Sequence, residues 1–236
     1  MSTEEQGNAA SPSATILIAG ANRGIGLELA RQYVESGWNV IGTARDPEHA
    51  DALRALDLEV LQLDVSDAGS VERLARALAG RSIDVLIMNA GIQKLMLTLD
   101  AIDLDKFEES LRVNTLGPVR VICALLPNLR AGQHRKIISM TSELGSIAGN
   151  ASGGFYGYRE SKVALNMFMK SLSVDLAAEG FICVAMHPGW VKTDMGGPRA
   201  PLEVTASVTG LRRVIGALGP SDNGSYLTYD GKALAW

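Results

Sequence analysis

Seven short runs rich in Val, Ile and Leu punctuate the chain, and most of the segments between them carry apolar residues at helical steps. The runs are TILIAG (15–20), WNVIGTA (38–44), LEVLQLDV (58–65), IDVLIMNAG (83–91), KIISMTS (136–142), FICVAMHPG (181–189) and a short SYLTYD (225–230). A strand with one wet face alternates apolar and polar residues, whereas a nearly continuous apolar run is buried on both faces. Parallel strands joined by crossover helices meet that condition. Helices are predicted over 25–37 with Gly37 as the stop, over 47–56, and over 70–80 with Asp67 or Ser66 as N-cap. Further helices are predicted over about 104–113, 117–127 and 157–179. The expected fold class is α/β: a single-domain Rossmann-type doubly wound parallel sheet with helices on both faces.

In such sheets ligands lie outside the carboxyl ends of the strands, so the residues just after each strand carry the chemistry. The first such turn is Gly20-Ala21-Asn22-Arg23-Gly24-Ile25-Gly26. Its glycines permit a sharp turn and bring backbone amides close to a pyrophosphate at a helix N-terminus. No Gly-Lys-Ser/Thr follows, which excludes a P-loop. At the end of the second strand, where an acidic residue would hold the ribose hydroxyls of NAD, the chain has Gly42-Thr43-Ala44-Arg45. Two guanidiniums, Arg45 and Arg23, with no carboxylate at that place fit a 2′-phosphate, so the expected cofactor is NADP(H).

Asn89-Ala90-Gly91 ends the fourth strand, Asn114 follows in a helical region, Ser142 follows the fifth strand, and Tyr158-Arg-Glu-Ser-Lys162 opens the long helix. Tyr158 and Lys162 are one turn apart and share a helix face. Tyr156 has Glu160 at the same offset and gains no cation; Ser139, Thr141 and Ser146 compete with Ser142. Together with the segment Pro188-Gly-Trp-Val-Lys-Thr193, these motifs resemble those of the short-chain dehydrogenase/reductase family, in that family's order and over about 15–230. MTSELGSIAGN, YGYRESKVALNM, HPGWVKTDMGG and LTYDGKALAW further resemble the carbonyl-reductase subgroup that includes sniffer and C-factor proteins.

The resemblance implies hydride transfer between a nicotinamide and a ketone or aldehyde. Tyr158 is then general acid or base, with its phenolate favoured by Lys162 and by an oxidised nicotinamide. Lys162 also holds the nicotinamide ribose, Ser142 donates to the substrate oxygen, and Asn114 positions a water that relays protons to the lysine. The resemblance further places Asp64 and Val65 at the adenine, Asn89, Ala90 and Gly91 beneath the adenosine ribose, and Pro188, Val191 and Thr193 near the carboxamide. Trp190 and the segment 195–202 are candidates for a pocket wall and lid, and the insert 150–154 for a loop at the mouth. A regulatory or signalling role of the C-factor type, with NADP bound but turnover unimportant, is the alternative.

Composition sets the outer limits. Forty-seven per cent apolar residues in a chain of 236 supply a sizeable core, and 22 basic against 26 acidic residues offer no basic face for nucleic acid. Cys123 and Cys183 lie in apolar runs without Cys-x-x-Cys spacing, so both are expected as buried thiols in a reducing compartment, and no metal site is suggested. Residues 1–13 are polar, acidic and small; they are expected to be a flexible tail ahead of a domain over 14–236. They lack the order of a signal peptide, and no run approaches the length of a membrane span. A cytoplasmic protein with a small-molecule partner follows. A homodimer or homotetramer is expected, as the family commonly pairs through helices flanking the fifth strand.

Overall fold

Each apolar run becomes a strand: β1 (Thr15–Ala19), β2 (Asn39–Ala44), β3 (Glu59–Gln62), β4 (Val85–Met88), β5 (Lys136–Met140), β6 (Ile182–His187) and β7 (Tyr226–Thr228). In the computed structural model, which describes residues 13–236, they form one sheet in the order β3-β2-β1-β4-β5-β6-β7, with every adjacent pair parallel. The tail expected over 1–13 lies outside the described residues except for Ser13.

The central strands β1, β4 and β5 are buried at every position because the sheet is covered twice. Leu17, Leu86, Met88, Cys183 and Ala185 point to one side, where they meet helices α3 (Ala68–Ala77), α5 (Gly117–Ala131) and α6 (Tyr158–Asp175) through Leu74, Val121, Leu125, Leu165 and Met169. Their neighbours Ile16, Ile18, Val85, Ile87 and Val184 point the other way, against α1 (Gly24–Glu35), α2 (Asp51–Arg54) and α7 (Val204–Ala217). A period of two in side-chain direction turns one continuous apolar run into two cores.

Several local expectations change. The helix expected over 47–56 is a single turn, α2, from which Leu53 enters the core. Of the two proposed N-caps of α3, Asp67 is the one used: its carboxylate accepts from Gly69 N at 3.0 Å and Ser70 N at 3.1 Å. Gly37 adopts φ +77° just past α1, as a left-handed helix stop requires. The helices expected separately over 104–113 and 117–127 are joined: α4 (Leu104–Leu111) passes through a π turn, Arg112–Leu116, into α5. The helix expected over 157–179 ends at Asp175, and a 3₁₀ turn, Ala177–Glu179, follows. Helix α7 occupies a stretch assigned no element from sequence; its buried stripe is Val208, Leu211 and Ile215, diluted by β-branched residues and Gly210, which are weak helix formers. Cys183 is buried in β6, but Cys123 is exposed on α5, contrary to expectation, because Val121, Ile122, Leu125 and Leu129 take the inward face. Among the described residues no helix is long and apolar enough to cross a membrane.

At the amino end of the sheet one carboxylate ties three segments. Asp84 accepts from Thr15 N at 2.8 Å, and from Gln133 N at 2.7 Å and His134 N at 3.4 Å. Burial raises its pKa, but these backbone bonds outweigh burial and leave it below the ordinary value. Asp84→Ala leaves buried donors unmatched and is expected to lower unfolding free energy by about 2–3 kcal/mol, read from urea melts.

Candidate active site

The strand order reverses between β1 and β4, and there the carboxyl-end loops part to form a cleft of about 620 Å³. Its floor is backbone. Gly20 at φ +84° turns the chain directly after β1, where a Cβ would lie 2.8 Å from Ala90 Cα. Gly26 packs so closely that a Cβ would stand 2.0 Å from Gly20 O and 2.6 Å from Asn89 Nδ2. Asn89 donates to Gly20 O at 2.7 Å, and Thr43 accepts from Gly20 N at 3.1 Å, so the turn is held from both neighbouring strands. Asn22, Arg23, Gly24 and Ile25 line the cleft above this floor, whereas Gly26 lies beneath it and Ala90 and Gly91 line its other side. The glycine cradle and the amides at the start of α1 suit a dinucleotide's pyrophosphate.

Arg45 and Ala44 line the cleft beyond the end of β2. Asp64 and Val65 are there too, but the Asp64 carboxylate already accepts from Ser66 N at 2.8 Å and Ser66 Oγ at 2.7 Å. Burial raises the Asp64 pKa; the Ser66 bonds and the charges of Arg45 and Arg112 more than offset it. Arg23 forms a solvent-exposed ion pair with Asp194 at 2.6 Å. Through that contact, and with a Cβ on Gly24 falling 3.3 Å from Thr193 Cγ2, the loop after β6 closes over the glycine turn. Pro188 and Thr193 line the cleft. Val191 instead turns inward, nearly fully buried and bridged to Leu202. Helix α7 fixes this loop from behind, since Ser207 Oγ donates to Pro188 O at 2.6 Å.

Tyr158 and Lys162 reach the other end of the cleft. Helix α6 starts where it does because Gly157 sits at φ +75° and its N–H donates to Glu160 Oε2 at 2.6 Å. Glu160 is thereby committed to the helix end, and Tyr156, whose N–H donates to Met96 O at 2.9 Å, does not line the cleft. Lys162 is buried and donates to Met140 O at 2.9 Å, with its Nζ 5.7 Å from the centroid of the Tyr158 ring. Burial without a carboxylate partner brings the ammonium down to about 8. Burial also pushes the Tyr158 phenol above its ordinary value, opposed by the Ser142 hydroxyl. The lowering of the phenol expected from Lys162 is therefore not produced by the protein groups alone.

The four candidate hydroxyls separate by their partners. Ser139 Oγ is held in the core by Met169 Sδ at 3.1 Å, and Ser146 Oγ accepts from Gly149 N at 2.9 Å. Ser142 lies beside the Tyr158 phenol, its Oγ accepting from Leu144 N at 3.2 Å. It does not line the cleft, whereas Thr141 does, with its buried hydroxyl unpartnered. That free hydroxyl was visible from sequence only as a neighbour of Ser142.

Asn114 is fully buried behind the cleft in the π turn. Its Oδ1 accepts from Ile92 N at 2.8 Å, and its Nδ2 donates to Ile92 O at 2.9 Å and to Ser161 Oγ at 3.0 Å. The side chain thus ties the loop after β4 to α6, and a Cβ on Gly91 would come 3.3 Å from Asn114 Oδ1 and 3.6 Å from Lys162 Nζ. Pro118, four residues on, has no N–H to give the Asn114 carbonyl.

Comparison with known proteins places these features in a lineage. The chain is 47% identical to C-signal of Myxococcus xanthus over 154 residues, 65% of this chain and 93% of the relative. Carbonyl reductase Sniffer of D. melanogaster superposes with a TM-score of 0.90 at 37% identity, covering 95% of this chain and all of the other. An NADPH-bound carbonyl reductase from chicken fatty liver does so with 0.87 at 33% identity, covering 95% and 99%. Residues 14–203 match the family described as short chain dehydrogenase. A match over that span, on a sheet that superposes almost whole on these reductases, makes the chain a member of the short-chain dehydrogenase family, and hence an oxidoreductase by family.

Proposed function

We propose that the protein is an NADP(H)-dependent carbonyl reductase, working in reverse as an alcohol dehydrogenase. The observation that carries this reading is the placement of Tyr158 and Lys162 on one face of α6, with the Ser142 hydroxyl at the phenol, at the end of a glycine-floored cleft. The likeness to an NADPH-bound reductase supports it. When bound, the nicotinamide supplies hydride to a carbonyl carbon or accepts it from an alcohol. Tyr158 gives the substrate oxygen its proton, and its raised pKa keeps that proton in place at neutral pH. Ser142 donates to the same oxygen as negative charge grows there. Lys162, with one donor on Met140 O, turns its other two toward the ribose hydroxyls and the phenol. Asn114, its side chain fully engaged, offers its carbonyl to a water that passes protons to Lys162.

Arg45 and Arg23 select NADP(H) over NAD(H) by meeting the 2′-phosphate beside Ala44. Self-association is part of the same reading, with the exposed Met167 and Val174 of α6 as its apolar contacts. A signalling role has one observation in its favour, the identity to C-signal. It gives no reason for a buried tyrosine and lysine to meet at one end of the cleft with a serine hydroxyl beside the phenol.

NADPH oxidation with a panel of aldehydes and ketones led by 4-nitrobenzaldehyde, an activated carbonyl, tests the reading directly. Tyr158→Phe should cut turnover by about 10²–10⁴ while leaving NADPH binding intact. Ser142→Ala should lose about 10²–10³, more than Ser139→Ala, Thr141→Ala or Ser146→Ala. Near-normal turnover in Tyr158→Phe, or no oxidation with any carbonyl, sinks the proposal.

Cofactor choice is read from Kd values. Arg45→Ala should weaken NADPH by about 10- to 150-fold and leave NADH almost unchanged. Asp194→Asn should release Arg23 from its exposed ion pair and tighten NADPH by up to about fivefold. Equal loss of both cofactors in Arg45→Ala would show that the residue does not read the phosphate.

The pH profile follows from the two buried groups. The lysine is charged below about 8 and neutral above it, while the phenol holds its proton beyond its ordinary range. The kcat/KM for carbonyl reduction should therefore fall as pH rises past about 8, and alcohol oxidation, which needs the phenolate, should gain with pH. Reduction with no alkaline limb would contradict the assignment of Lys162.

A further inference from the structure

Ser142 is held from a direction that the reaction scheme does not use. Its carbonyl accepts from Gly145 N at 2.7 Å and also from the hydroxyl of Tyr226, which reaches it from β7 across the intervening strand β6. Two donors fill both lone pairs of that carbonyl and fix the peptide plane leaving Ser142. On the side chain, the bond from Leu144 N to Oγ occupies the hydroxyl as an acceptor. Its single O–H remains free to donate, and the Tyr158 phenol lies beside it.

The Tyr226 ring is itself fixed. It is fully buried and stacks on Trp236 with centroids 5.0 Å apart at 28°. The Trp236 carbonyl accepts from Ala148 N at 3.1 Å and from Ser146 Oγ at 3.5 Å, so the segment that clamps the tyrosine also grips the far side of the turn following Ser142. Beneath the turn, Asn166 Nδ2 donates to Gly145 O at 3.0 Å from α6, one turn beyond Lys162.

We propose that Tyr226 is a positioning residue for carbonyl reduction, its hydroxyl holding the Ser142 carbonyl so that the serine O–H is aimed at the reacting oxygen, with Trp236 setting the position of the ring. The inference rests on the reductase reading above. Tyr226 does not line the cleft, and on this proposal it acts on the reaction through Ser142, so its effect must depend on the serine hydroxyl.

That dependence is measured by a double-mutant cycle on the full chain, using NADPH and the carbonyl compound of the panel that the wild type reduces fastest. Tyr226→Phe should lower kcat by about 10-fold, with Kd for NADPH unchanged, because one buried hydrogen bond is lost and the stack on Trp236 is kept. In the Ser142→Ala background the same change should cost less than about twofold. A full 10-fold loss there, or no loss of kcat in Tyr226→Phe alone, overturns the proposal while leaving the reductase reading standing. Full turnover in Ser142→Ala removes the serine's role and this inference with it, and is distinguishable because it needs no change at position 226. Should Tyr226→Phe fail to bind NADPH, which would mark a folding defect, Trp236→Leu keeps the hydroxyl, loosens the ring and enters the same cycle. It should lower kcat in the wild-type background and not in Ser142→Ala; equal losses in both overturn the proposal.

Discussion

The carboxyl ends of β1 and β4 approach as closely as main chain allows, and the layout of the site follows from that approach. Gly20 meets Ala90 and Gly26 meets Gly20 O at separations that leave no room for a Cβ, while the Asn89 amide and the Thr43 hydroxyl tie the turn to the strands on either side. With the sheet order reversing at this point, crossovers leave on opposite faces and the loops above them separate. The cleft is the space between those loops. Its floor presents backbone N–H groups and a helix start, which suit phosphate without any charged side chain below it.

At the other end of the cleft the site works against the ordinary preference of charged groups for water. Lys162 is buried with a carbonyl and no carboxylate, and Tyr158 is buried beside it. Desolvation brings the ammonium down and the phenol up, so each is nearer its neutral form than it would be in water. The phenol therefore keeps its proton at neutral pH. Ser142 is the one group opposing the rise of the phenol, and its carbonyl accepts from the hydroxyl of Tyr226 on β7, whose ring stacks on Trp236.

Much of this was legible in the chain because it depends on local spacing. Continuous apolar runs imply a sheet covered on both faces, and the two cores that Leu17 and Ile16 enter are the result. The four-residue step from Tyr158 to Lys162, against Glu160 after Tyr156, separates the two tyrosines, and Glu160 is taken by the Gly157 N–H. Other features depend on packing that spacing does not record. The two helices expected around Asn114 are one continuous rod, Cys123 faces outward, and α7 forms from weak helix formers because its apolar stripe has a sheet face to cover.

By itself, then, the sequence determined the sheet, the glycine turn and the pairing of Tyr158 with Lys162, since each is set by dihedral freedom or by periodicity within a few residues. Which hydroxyl stands beside the phenol was decided only in three dimensions. The hydroxyls of Ser139, Thr141, Ser142 and Ser146 are near neighbours in the chain, and they part company through contacts with Met169, the open cleft, Leu144 N with the phenol, and Trp236. The direction of the phenol's pKa was likewise a tertiary matter, because desolvation depends on everything that closes around a group and a charge one helical turn away is only one contribution to it.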